Sequence, residues 1–406
     1  MPKATTESHI RTYTSISHTK MLPKPTDVFY YPPDIAHDLD NLDLADQQKA
    51  EVLATSWEYT RCVIPQYTNW KRYVAFLRCI IVAVIAEYRG NVVNLTESDD
   101  ILGYSVNGLI DDVFKGTAGH ELMGREFKAF LLMTGEKTSE RRNGELFRRY
   151  VNALSHNPQQ WFRMRDCDAL ARFTIAGASV CNDSGNLWFN EEQFIILAEL
   201  GDIMYDAVAF YKHRSEGETH STFVYMPQDL RVKSFHVARE LLWALDTAWA
   251  RLPSHQIVIN FVRFFGGTIH MLTRRYRFVE EDLSIGKLED EDVVEQTRRN
   301  VKLWNRVEEK DEKFQENSSR YKEIISKHSE DLMFPGLAHA LETAETGRCT
   351  DCVYRSSSGA QGVGEFGGVQ LCPACREQWR QYLEALPQRV IEVFPEVLDV
   401  PGFSRS

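Results

Sequence analysis

The stretch YTNWKRYVAFLRCIIVAVIAEYR, residues 67–89, decides the fold. Its later half is apolar on nearly every side of a helix, and its first clear acid is Glu87. Such a helix needs protein around it, so the segment predicts a helix deep in a helical core. A bilayer is a poor alternative, because the uninterrupted apolar run, Cys79 to Ala86, falls far short of the ~20 residues needed to span one.

Working outward, helical periodicity recurs over 46–60, 121–134, 138–155, 160–181, 190–216, 228–250, 254–281 and 291–327, whereas strand-like alternation is scarce. The fold class expected is therefore all-α. Residues 1–26 are polar, rich in Ser and Thr and without periodicity, and are expected to be disordered. A helical domain over 27–340 and a small C-terminal module over 341–406 are the predicted divisions. The segment 288–320 is charge-rich with interleaved apolar residues, which predicts a solvated helix on the rim.

A chain of 406 residues, 43% hydrophobic, is long enough for a sizeable core. Its net charge of −11 and pI of about 5.6 argue against a nucleic-acid partner. The N-terminus lacks the apolar h-region of a secretory signal. A soluble, cytoplasmic protein without stable membrane insertion is the expectation.

Cysteine usage agrees. Cys62, Cys79, Cys167 and Cys181 are scattered in largely apolar helical contexts, while Cys349, Cys352, Cys372 and Cys375 form two C-x2-C knuckles separated by nineteen residues. That spacing is a tetrahedral Zn2+ signature, and paired disulfides are the alternative. The glycine-rich SSSGAQGVGEFGGVQ between the knuckles suits the loop and short strands of a zinc ribbon. Four thiolates saturate a tetrahedral ion, so the Zn2+ is expected to be structural. Fastening the C-terminus onto the helical domain and forming a homodimer contact are the two roles open to it.

The second informative stretch is ELGDIMYDAVAFYKHRSEGE, residues 199–218. At about 100° per residue, Glu199, Asp202 and Asp206 fall within about 60° of arc, bordered by Ala198, Ile203, Ala209 and Phe210. The stripe looks into protein. Ion pairs, a metal site and a solvated groove can each explain such acids. Matched cations occur elsewhere in apolar helices: Arg163, Arg165 and Arg172 beside Asp166 and Asp168, Lys212 and His213 after the stripe, and Arg274, Arg275, Tyr276 and Arg277 at the end of 256–281. Carboxylates holding Mg2+ opposite Arg, Lys and Tyr donors are what a diphosphate requires, and an apolar helical pocket would hold a prenyl chain. This is the logic of a class I terpene synthase.

The usual motifs of that class are absent. Asp111-Asp112 is followed by Lys115 where a third acid belongs, and the spacing after Asp202 or Asp206 breaks the second metal motif. Asp168 and Arg172 also fit a surface i, i+4 pair worth only tenths of a kcal/mol. Arg163 and Arg165 point to different faces, so only one of them is expected to reach a diphosphate.

YYPPDIA (30–36), WEYTRCVIPQYTNWKRYVAF (57–76), GELFRRYVNAL (144–154), WFRMRDCDALARFTIA (161–176), YDAVAFYKHRSEGET (205–219), INFVRFFGG (259–267), RRYRFVEE (274–281) and LMFPGLA (332–338) resemble the fungal α-ionylideneethane synthases of abscisic acid biosynthesis. The similarity runs from about Tyr30 to about Pro395, cysteine knuckles included. It implies a class I terpene-synthase-like helical bundle that converts farnesyl diphosphate to α-ionylideneethane, releases diphosphate and uses Mg2+. It also implies hydrogen movements between carbons before or during ring closure, hence general acid/base groups.

On this reading Glu87, His120, Asp202 and Asp206 are the catalytic candidates, and Glu87, Glu199, Asp202 and Asp206 the Mg2+ ligands. Arg163 or Arg165, with Lys212, Arg275 and Tyr276, would bind the diphosphate. Phe210, Phe264 and Phe265 are candidates to stabilise cationic carbon. A zinc-ribbon interaction protein with a helical scaffold, or a synthase making another sesquiterpene, are the competing readings.

Overall fold

The computed structural model describes residues 29–87, 89–154, 157–184, 187–210, 213, 222, 229–269, 318–354 and 369–403. Its first half contains α1 (Asp46–Val63), α2 (Trp70–Ala86), α3 (Val106–Phe114), α4 (His120–Lys137), α5 (Glu145–Leu154), α6 (Pro158–Ala169) and α7 (Ala171–Cys181). The second contains α8 (Glu191–Val208), α9 (Asp229–Ala248), α10 (Pro253–Arg263), α11 (Ser318–Glu323), α12 (Ser329–Leu332), α13 (Leu337–Glu342), α14 (Pro373–Glu384) and α15 (Leu386–Val393). Two-residue hairpins, Asp100–Ile101 with Tyr104–Ser105 and Val353–Tyr354 with Val369–Gln370, are the strands among the described residues. The expected all-α class is the observed one.

As its composition requires, α2 lies buried, packed by α1, α3, α4 and α7. Asn69 caps it by accepting from the Arg72 backbone N–H at 3.1 Å. The backbone N–H groups of Thr68 and Asn69 both donate to the Cys181 carbonyl, which ties the start of α2 to the end of α7. Between these helices the Phe76 ring stacks on Phe173, 5.7 Å between centroids, and Phe173 in turn meets Phe127 at 5.0 Å and Phe114 at 5.3 Å. Gly177 makes this approach possible, since a Cβ there would lie 2.7 Å from the Phe76 ring.

The second centre is α8, packed by α6, α7, α9, α10 and α15. A reciprocal cap opens it: Asn190 Oδ1 accepts from the Gln193 N–H at 2.9 Å, and Gln193 Oε1 accepts from the Asn190 N–H at 3.0 Å. Beyond α10 the helix widens into a π-helical turn, Phe264–Thr268, that lies along α8. Phe265 stacks on Tyr205 at 4.6 Å and on Phe261 at 5.2 Å, and Gly266 passes so close to Met204 that a Cβ would lie 2.6 Å from its methyl. π-Turns of this kind recur at functional sites.

Several elements differ from the periodicity. The expected helix over 160–181 breaks at Leu170, whose φ of 53° is left-handed. Its N–H closes α6 onto the Asp166 and Cys167 carbonyls, and α7 starts at the next residue. The expected helix over 138–155 begins instead as a 3-10 turn, Glu140–Asn143, before α5. The periodicity did not predict α3, which is short and carries Asp111 and Asp112. Residues 1–26, residues 271–317 and most of the glycine-rich stretch lie outside the described residues.

No helix among the described residues is long and apolar enough to cross a membrane. The C-terminal helices pack on those before them: Lys233 of α9 pairs with Glu384 of α14 at 2.8 Å, and Trp249 Nε1 donates to Glu396 Oε1 at 2.8 Å. Gly177→Ala should destabilise the fold by about 1–3 kcal/mol, because the methyl must displace the Phe76 ring from its stack. Urea unfolding followed by circular dichroism measures this, and an unchanged midpoint would contradict the packing.

Candidate functional site: a buried acidic stripe

All three acids of the stripe are completely buried, each with 0% of its surface exposed. A carboxylate without water must find donors or keep a proton. The three meet that demand in three ways.

Asp206 is held by Arg165 of α6, with Nη2 donating to Oδ1 at 2.8 Å and Nε to Oδ2 at 3.2 Å. The Thr222 backbone N–H and its hydroxyl also donate to Oδ2, each at 2.7 Å, and His213 Nδ1 lies 3.7 Å from Oδ1. Arg165 donates a further bond to Asp168 at 2.7 Å, and Lys137 reaches Asp168 at 3.0 Å. Trp161 Nε1 donates to the Thr222 hydroxyl at 3.3 Å, so the indole supports the same group that supports Asp206.

Glu199 is held from the C-terminal module. Tyr382 Oη donates to Oε1, and Arg389 Nη1 donates to Oε2 at 2.7 Å. The Arg389 guanidinium also lies over the Tyr382 ring, 3.9 Å from its centroid. Burial pushes the Glu199 carboxyl up, and Arg389 and Tyr382 pull it back.

Asp202, between them, has no hydrogen-bond partner for either oxygen among the described residues. Burial drives its carboxyl well above the ordinary aspartate value; the nearby Arg165 opposes that, and Asp206 adds to it. It is the acid of the stripe whose neutral form its surroundings favour most strongly.

The helix break at Leu170 explains the rest of the polar layer. Because α7 starts afresh, Asp168 and Arg172 do not form the expected i, i+4 pair. Asp166 Oδ1 instead accepts from the Arg172 backbone N–H at 2.8 Å, capping α7, while Arg172 Nε donates to Asp166 Oδ2. Arg172 also reaches Glu191 at 2.7 Å. Arg163 forks onto Glu126 of α4. Burial raises the Glu126 carboxyl, and Arg163 and Arg172 oppose that rise.

His120 starts α4 and bonds Asp111 at 2.7 Å with its side chain 39% exposed, and Asp112 pairs with Lys71 at 3.7 Å on the surface. Glu87 closes α2, half-buried, its N–H on the Ala83 carbonyl. Phe265 stacks against the stripe helix at Tyr205, and Phe210 lies under the Arg231 guanidinium at 3.9 Å. Lys212, Arg275 and Tyr276 lie outside the described residues. Glu126, Lys137, Thr222, Tyr382 and Arg389 were not singled out by sequence reasoning. Glu126 gave no distinct signal, because α4 also carries Glu121, Arg125, Lys128, Glu136 and Lys137.

The stripe does not fit a joint Mg2+ cluster of Glu199, Asp202 and Asp206. Mg2+ demands near-octahedral oxygen ligands with room for waters, and the oxygens of Glu199 and Asp206 are already committed to Arg, Tyr and Thr donors. A second metal set does fit. The Sγ atoms of Cys349, Cys352, Cys372 and Cys375 lie within 4.8 Å of one another, with Cys349 and Cys372 3.9 Å apart. The antiparallel Val353–Tyr354 and Val369–Gln370 pair joins the two knuckles, as in a ribbon. The Cys375 backbone N–H draws the Cys372 thiol down to about 7, while burial pushes the Cys352 and Cys375 thiols up.

Two substitutions test this electrostatic scheme. Arg165→Met should cost about 3–5 kcal/mol, since it strands Asp206 as a buried charge. Asp202→Asn should behave oppositely. Folding raises the Asp202 pKa, so the native chain keeps a proton that the unfolded chain releases above about 3.8, and stability falls as pH rises from there. The variant lacks that loss, so its stability relative to wild type should increase between about pH 5 and pH 8 in urea titrations. A constant difference would show that Asp202 is ionised in the fold.

The α-ionylideneethane synthase aba3 family model matches residues 27–396. The chain is 58% identical over 383 residues to an α-ionylideneethane synthase aba3 of Botryotinia fuckeliana (strain B05.10), covering 94% of this chain and 87% of that one. It is 57% identical over 389 residues to α-ionylideneethane synthase abl3 of Leptosphaeria maculans, covering 95% and 91%. To abl3 of Pyricularia oryzae (strain Y34) it is 49% identical over 439 residues, covering 93% and 85%. With a buried polar seam inside an all-helical core and a match along nearly its whole length, the chain belongs to the α-ionylideneethane synthase family.

Proposed function

We propose that this protein is a sesquiterpene synthase that converts farnesyl diphosphate to α-ionylideneethane with release of diphosphate, as a step toward abscisic acid. The observation that carries the reading is the 58% identity, over 94% of the chain, to a protein named for that product. The all-helical core is consistent with it. A reading as a zinc-ribbon interaction protein with a helical scaffold has no comparable support.

The chemistry divides into two demands. First, the allylic C–O bond breaks and its electron pair leaves with diphosphate, which calls for cations around the leaving group. Arg163 and Arg165 are paired internally with Glu126, Asp206 and Asp168, so we assign the diphosphate to Lys212, Arg275 and Tyr276. A divalent ion, Mg2+ in our reading, supplies further charge neutralisation on the diphosphate. The stripe acids are not its ligands as they are paired here.

Second, the hydrocarbon is the farnesyl cation less one proton, and its ring-attached diene requires a proton to be added at one carbon and removed from another. Asp202 suits that exchange. Its neutral carboxyl can give a proton to an alkene carbon and the carboxylate left behind can take one from another carbon, so Asp202 ends as it began, while the one further proton that the farnesyl cation must lose goes to the released diphosphate. Burial of the site keeps water from quenching the cation. Arg165, near enough to oppose the rise in the Asp202 pKa, would steady the transient carboxylate.

The test is incubation of purified protein with farnesyl diphosphate, with Mg2+ or with EDTA, and analysis of the hydrocarbons by gas chromatography and mass spectrometry. α-Ionylideneethane should form only with the metal, and its absence would overturn the assignment. Asp202→Asn should stay folded and lose on the order of 10²-fold or more in rate, the usual worth of a positioned acid or base. Accumulation of an acyclic hydrocarbon in that variant would place Asp202 after ionisation; full activity would remove it from the chemistry.

A further inference from the structure

Glu199 draws its charge compensation from the chain's last helices, far from α8 in sequence. Both donors, Tyr382 and Arg389, lie beyond the cysteine knuckles. Tyr382 sits near the end of α14, and the residue that caps the start of α14 is Cys372, one of the four clustered cysteines. The Cys372 backbone N–H also donates to Cys352 Sγ at 3.3 Å. The position of α14 is thus set at one end by the cysteine cluster and read at the other by Glu199.

The same helix reaches the second paired acid by another route. Trp379 is buried against Trp161 at 5.9 Å and Phe162 at 6.0 Å, and Tyr382 stacks on Phe162 at 5.8 Å. Trp161 is the donor to the Thr222 hydroxyl that in turn donates to Asp206. One helix seated by the cysteines therefore supports Glu199 directly and Asp206 through one indole and one hydroxyl. Between those two lies Asp202.

We infer that the four-cysteine site binds Zn2+ and acts as a remote clamp on the acidic helix, with Tyr382 and Arg389 as positioning residues for Glu199. Zinc fixes Cys372 and the start of α14; α14 and α15 then present the phenol and the guanidinium that a buried Glu199 requires. Loss of the ion frees α14, leaves Glu199 as an unpartnered buried carboxyl and loosens α8. This goes beyond the assignment of substrate and product and does not rest on it. It also explains why a saturated thiolate site, which has no open position for a reactant, is joined to this fold.

The test uses the full-length protein without substrate, so a failed synthase assay would leave it intact. Zinc content by plasma mass spectrometry should be ~1 per chain, and a zinc chelator should remove it. Hydrogen–deuterium exchange should then rise about tenfold or more in peptides from both 371–393 and 191–208, with 70–86 unchanged as the internal reference. Arg389→Met should raise exchange in 191–208 while keeping its zinc and the protection of 371–375, and Arg389→Lys should recover part of the loss.

Faster exchange in 371–393 with 191–208 unmoved would overturn the clamp. So would equal loss of protection in 70–86, which would make zinc a requirement of the whole fold. An Arg389→Met variant with native protection across 191–208 would overturn the positioning role of Arg389 even if the zinc is present.

Discussion

The structure depends on one constraint: three carboxyl groups on α8 are enclosed without water. A buried charge costs several kcal/mol unless donors surround it, and removing a partner costs more than the pair itself contributes. The helices around α8 must therefore arrive with specific groups as well as apolar surface. Arg165 from α6, Thr222, and Tyr382 with Arg389 from the C-terminal helices meet that requirement for Asp206 and Glu199. For Asp202, which has no donor among the described residues, burial favours the neutral carboxyl instead.

From this follows the division of labour inside the core. The aromatic cluster around Phe76, Phe173 and Phe127 is apolar packing, and it fixes α2, α4 and α7 against one another. The polar layer runs alongside it through Glu126, Arg163, Asp166 and Arg172 to the stripe. Arg163, Arg165 and Arg172 look from sequence like free donors for an anionic ligand. In the fold they are neutralised by acids from three helices, α4, α6 and α8, which gives them a structural task. A reaction that passes through carbocations suits such an interior, because it offers few stray nucleophiles and one carboxyl that can exchange a proton.

Much of the fold was legible because helical periodicity is a local property. The apolar residues of α2 recur on every face and required enclosure. The thiolate cluster was legible for the same reason, since two C-x2-C knuckles specify their geometry within a few residues. The break at Leu170 was not legible. A leucine in the left-handed region has no local preference for it, and the packing of α6 and α7 imposes it. That single residue changed the partners of Asp166, Asp168 and Arg172.

The sequence by itself determined that Glu199, Asp202 and Asp206 share one face of a helix, that this face looks into protein, and that four cysteines can bind a metal. Helix geometry and ligand spacing suffice for those statements. Only the tertiary structure decided which acids are paired and which has no donor among the described residues, because the deciding groups lie far away in the chain: Arg165 is 41 residues from Asp206, and Arg389 is 190 residues from Glu199. The ionisation of a buried carboxyl depends on desolvation and on charges within a few ångströms, and those are set by packing that local sequence pattern does not contain.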